Sequence, residues 1–166
     1  MIGLLQQSEA ENFLYYAYIG ALATQFVAME MVLTDAARRL GASDKDLSVS
    51  FNELRKALQQ GLRREFGVIV AEGEEARRLI KKIEEAGKGR NDILHSAWSA
   101  FQDGQVTQHR VRPKDKSLPL IAKYDKHQLT EIEAVIYEVM ELRSEIPYWL
   151  DVFEERTMSE SGKGES

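Results

Sequence analysis

"EAENFLYYAYIGALATQFVAMEMVLTDAARRLG", residues 9–41, carries apolar side chains at Phe13, Leu14, Ile19, Leu22, Phe26, Met29, Val32, Leu33 and Leu40. Most of the steps between them are helical, and Gly41 stands where a left-handed C-cap residue would end the helix. Between Phe13 and Leu33 the segment is apolar almost all round, which places it at the centre of a bundle or against a second chain. It is long enough to span a bilayer, but Gln25, Glu30 and several tyrosines interrupt it, so a buried helix is the expectation and no membrane partner is. The residues before it lack a basic region and acids follow a short apolar run at once, so no signal peptide is expected.

Outward from this helix the same texture recurs. "SFNE" (Ser50–Glu53) is a capping-box pattern, and Leu54, Leu58, Leu62 and Phe66 follow at four-residue steps, predicting a second amphipathic helix that Gly61 weakens slightly. A third helix is expected over "EEARRLIKKIEEAGKGRNDILHSAWSAF", broken or loosened at Gly87 and Gly89, with Ala97, Trp98 and Phe101 on its far part. Residues 103–125, "DGQVTQHRVRPKDKSLPLIAKYD", alternate more than they cycle and contain two prolines, which predicts a small β-hairpin or ordered loop. A last helix starts near Thr130 and aligns Ile132, Val135, Ile136, Val139, Leu142, Ile146, Trp149, Leu150 and Phe153, with Pro147 expected to kink or end it. The fold class expected is therefore all-α: an up-and-down bundle of four to five helices with a small hairpin or loop before the last. Residues 1–156 are read as one domain and the small, polar residues 157–166 as a disordered tail.

A chain of 166 residues suits one domain with a core large enough to fold unaided. The absence of cysteine excludes disulfides and thiol or cysteine–metal chemistry and is consistent with a cytoplasmic protein. A net charge of −5 argues against coating nucleic acid by bulk electrostatics, but not against a local phosphate site. His109, Arg110, Arg112, Lys114, Lys116, Lys123 and Lys126 make residues 109–126 the locally basic part of an acidic chain, able to guide an RNA backbone or to form a solvated hairpin. Tyr15, Tyr16 and Tyr18 are read as packing residues rather than base-stacking ones. Glu30, an acid among apolar residues, must be paired, near the surface or functional; both an exposed helix face and a pairing with Arg90 are open to it.

The chemistry-bearing stretch is "RNDILH", Arg90–His95. On a helix Asn91 and His95, four apart, share a face, so Asn91 can orient the imidazole, whereas Arg90 and His95 lie about 140° apart and Arg90 must reach round or sit at a helix start. An imidazole moves a proton near pH 7, and a guanidinium offers phosphate a planar fork that never loses its charge. Together they suit RNA cleavage, in which the ribose 2′-hydroxyl attacks its own phosphodiester and no metal is needed. One histidine per site is thin for this; a two-fold dimer would bring two His95 and two Arg90 to one cleft.

The motif resembles the arginine, polar residue, gap and histidine of the HEPN superfamily of small helical domains, many of whose members are metal-independent endoribonucleases. The resemblance extends over residues 9–156 through the long helices, the aromatic after the histidine, the short basic insert and the final amphipathic helix. It implies catalysis by Arg90 and His95, with Asn91 positioning the histidine or the phosphate; the RNA contacts expected of His109, Arg110, Arg112 and Lys114 rest instead on the local basic charge. It implies no cofactor and no metal, RNA as partner, a homodimer, and an antitoxin or other protein partner for a toxin or defence effector. Members silenced by tyrosine modification have a tyrosine two residues after the histidine; Ala97 stands there, so that route is in doubt. The alternative is a non-enzymatic helical module for dimerisation or partner binding with a degenerate site. In that case Gly87 ends one helix, Asn91 or Asp92 caps the next, Arg90 faces solvent and His95 hydrogen-bonds within the bundle.

Overall fold

The computed structural model describes the backbone of residues 2–47, 50–94, 97–102, 105–110 and 123–161, and the side chains of 13–45, 47, 50–94 and 130–159. The scaffold is all-α. Its helices are α1 (Ile2–Arg39), the single turn α2 (Asp44–Leu47), α3 (Phe51–Ala71), α4 (Glu74–Leu94) and α5 (Leu129–Ser161). The chain forms two compact units, one of Met1–Gln25 with Lys88–Tyr137, the other of Phe26–Gly87 with Glu138–Ser166.

The second unit is a helical bundle. Phe26, Met29, Leu33 and Leu40 of α1, Leu58 and Leu62 of α3, Leu79 and Ile83 of α4 and Val139, Ile146 and Phe153 of α5 are almost wholly buried. Each such side chain contributes about 1.5–3 kcal/mol by leaving water. At the edge of this core the Phe26 and Phe51 rings lie 4.8 Å apart, and Phe66 and Phe153 5.9 Å apart. Arg39 donates to Asp151 at 2.7 Å and to both carboxylate oxygens of Glu154, tying the end of α1 to α5. Those two acceptors, Glu154 first, raise the Arg39 pKa further.

The helix boundaries follow local chemistry. Gly41 (φ 74°) ends α1: its N–H donates to Arg38 O at 2.8 Å and that of Ala42 to Ala37 O at 2.9 Å, the paired bonds of a Schellman cap. Ser50 is extended, and its hydroxyl accepts the Glu53 N–H at 3.3 Å, as the capping pattern predicts. Gly67 adopts φ 77°, ψ 171°, so α3 kinks there and resumes for one turn. Gly61 does more than weaken α3: a Cβ there would come 2.6 Å from Leu40 Cβ, so its bare backbone is what lets α3 lie against α1. Pro147 falls inside α5 without ending it, and α5 runs to Ser161, five residues into the expected tail. Thr157 and Ser159 there donate their hydroxyls back to Phe153 O and Glu155 O.

Two expectations about the middle of the chain are corrected. The hairpin confined to residues 103–125 is not seen in that form. Instead β1 (Ala97–Gln102), β2 (Gln105–Arg110) and β3 (Lys123–Gln128) form an antiparallel sheet in the order β1-β2-β3, in the first unit. "AWSAFQ", expected on the third helix, is therefore strand β1, and its ladder pairs Trp98 with Gln108 before shifting register between Ser99 and Gln102. Nor does α4 break at Gly87 or Gly89; it is one helix of 21 residues.

Candidate functional site

The glycines in "EEAGKGRNDIL" serve packing. Gly87 is buried, and a Cβ there would run into the Phe51 ring; at Gly89 it would sit 3.3 Å from Val135 Cγ1. Because α4 continues through both, Arg90 lies four residues before the helix ends at Leu94, not at a helix start, and neither Asn91 nor Asp92 is an N-cap. This overturns the reading of the glycines as a break that frees Arg90.

Arg90 is half-buried and Asn91 exposed, while Ile93 turns inward with 8% of its surface accessible. The Arg90 Nη1 donates to Asn91 Oδ1 at 2.9 Å. The two side chains that the motif singles out are thus brought together, with the carboxamide oxygen bound to the guanidinium. His95 lies outside the described residues, as do Arg112 and Lys114. His109 and Arg110 lie on β2, where only the backbone is described; the β2–β3 register sets Arg110 opposite Lys123 and Thr107 opposite Lys126. Arg90, Asn91 and the sheet belong to the same compact unit.

Glu30 is half-buried in the second unit, on the wall of an open cleft of about 430 Å³ that also takes in Asp35, Arg38, Leu47, Phe51 and Leu54. Arg38 there is balanced by Asp35 at 3.7 Å and Asp44 at 3.4 Å. The sequence signalled Glu30 by its isolation among apolar residues; the rest of the cleft carries no local pattern, because α1 and the start of α3 line it together. Of the tyrosines, Tyr15 is buried and Tyr16 exposed, their rings edge-on at 5.7 Å. Burial, with a smaller contribution from Tyr16, pushes the Tyr15 phenol well above its ordinary pKa. Among the described residues no group of three or more histidines and carboxylates could hold a metal ion.

No protein-family model matches this chain, and no curated protein or solved structure matches it.

Proposed function

We propose that the protein is a HEPN-like, metal-independent endoribonuclease or RNA-binding protein, a cytoplasmic toxin or defence effector working as a homodimer. The observation that supports this best is the Arg90–Asn91 pair near the end of α4, with His95 four residues beyond Asn91 in the chain. The half-buried Arg90 offers a planar fork that never loses its charge and can meet a phosphate.

In the proposed reaction the 2′-oxygen bonds to phosphorus as the bond from phosphorus to the 5′-oxygen breaks. One His95 takes the 2′ proton and the other gives a proton to the leaving oxygen, so the charge balances, leaving a cyclic phosphate and a 5′-hydroxyl. Arg90 binds and stabilises the scissile phosphate, and Asn91 fixes Arg90 or His95. The β2–β3 register sets two basic residues, Arg110 and Lys123, at opposite positions, a local concentration of positive charge that suits an RNA backbone.

A second reading, a non-enzymatic module that dimerises or holds an antitoxin or other protein, is favoured by the engagement of Asn91 with Arg90 and by the exposed apolar residues of α1. The two part on cleavage of a mixed RNA pool in EDTA by the wild type, His95→Ala and Arg90→Ala. The enzyme predicts loss of at least about 100-fold in each variant. Equal cleavage by all three, or none by a folded wild type, decides for the module.

A further inference from the structure

The cleft beside Glu30 is built within the second unit alone, from one stripe of α1 between Val27 and Arg38 and from the start of α3. Val27, Met31, Phe51 and Leu54 give it an apolar lining. Phe51 is held in place by Phe26, their ring centroids 4.8 Å apart, and by Gly87, where a Cβ would run into the Phe51 ring. Of the polar side chains on the wall, all but one are engaged. Thr34 donates its hydroxyl to Glu30 O at 2.8 Å, Ser50 accepts the Glu53 N–H, and Arg38 meets Asp35 and Asp44. The half-buried Glu30 carboxylate has no hydrogen bond or ion pair among the described residues. A carboxylate partly withdrawn from water is disfavoured until a cation meets it.

We infer that this cleft binds a small organic amine in its ammonium form, with the nitrogen at Glu30 and an aromatic or aliphatic body on Val27, Met31, Phe51 and Leu54. Charge selects the cation. Glu30, Asp35 and Asp44 stand against Arg38, whose guanidinium already serves the two aspartates, so an anion would meet a free carboxylate and an occupied guanidinium. A bare metal ion fits badly, because it needs several oxygen ligands and no group of three or more carboxylates and histidines among the described residues could supply them. An ammonium needs only one carboxylate, and its apolar substituent gains by leaving water against the lining. The volume of about 430 Å³ falls within the range of about 300–1,000 Å³ usual for small-molecule sites, and a single basic side chain of a docked protein would fill little of it.

The inference goes beyond the proposed function, and its test involves no RNA, so either can fail alone. Phenethylamine titrated into the full chain near neutral pH should bind saturably with a Kd of about 1 mM or tighter. Glu30→Gln keeps the size of the side chain and removes no bond of the fold, so it should weaken binding at least about ten-fold with the helical circular dichroism intact. Phenethyl alcohol and phenylacetate have the body without the positive charge, and methylamine the charge without the body. Each should bind at least about ten-fold more weakly than phenethylamine. With methyl-labelled methionine, the Met31 signal, assigned by its loss in Met31→Leu, should move along the titration while those of Met140 and Met158 on α5 stay. No saturable binding up to about 20 mM, equal affinity in Glu30→Gln, phenylacetate binding as well as the amine, or movement at Met140 or Met158 instead of Met31 would each overturn the inference.

Discussion

At Gly87, composition and packing point in opposite directions. Glycine is a poor helix former, and two of them two residues apart read as an interruption. The neighbour that demands a hydrogen in place of a methyl, Phe51, is far away in sequence, so the reason for the glycine is invisible locally. Gly87→Ala should therefore destabilise the fold by about 1–3 kcal/mol despite the better helix propensity, read as a lower midpoint in urea. Glu75 offers a test by pH. Its carboxyl is held below the ordinary value of 4.5, first by a backbone N–H and then by the Arg156 guanidinium at 3.2 Å. A depressed carboxylate contributes stability that is present above the unfolded pKa and lost as pH falls through the folded one. Wild type and Glu75→Gln should thus differ in melting temperature near pH 6 and converge towards pH 3.

At the scale of the element, caps were legible because their chemistry is local. Ser50 binds a backbone N–H three residues on, and Gly41 closes α1 with bonds to carbonyls at most five residues back. Ser50→Ala is expected to cost about 1 kcal/mol in chemical unfolding, the usual value of an N-cap. Gly41→Ala should cost about as much, since φ 74° strains any residue with a Cβ. Strand β1 was not legible. Ile93, Leu94, Ala97, Trp98 and Phe101 fit a helical period as well as "AWSAFQ" fits a strand, and what separates them is pairing with β2. Of the candidate site, the proximity of Arg90 and Asn91 was readable from adjacency. The direction of Arg90 was not, because it depended on whether α4 broke.

For the molecule as a whole, the periodic apolar positions named the core. Leu58 is fully buried in the second unit, and Leu58→Ala should cost about 2–5 kcal/mol in the same urea measurement. The sequence by itself determined the all-α class, the four long helices, the caps at Gly41 and Ser50 and most of the buried residues, since these follow from periodicity and from bonds between near neighbours. Only the tertiary structure decided which face of α1 is buried, that α4 runs unbroken past Gly87, and that the residues after it pair as a sheet. An apolar side chain prefers any dry surface equally, and a glycine serves a break or a close approach equally. The choice is made by the partner segment, which a local pattern does not contain.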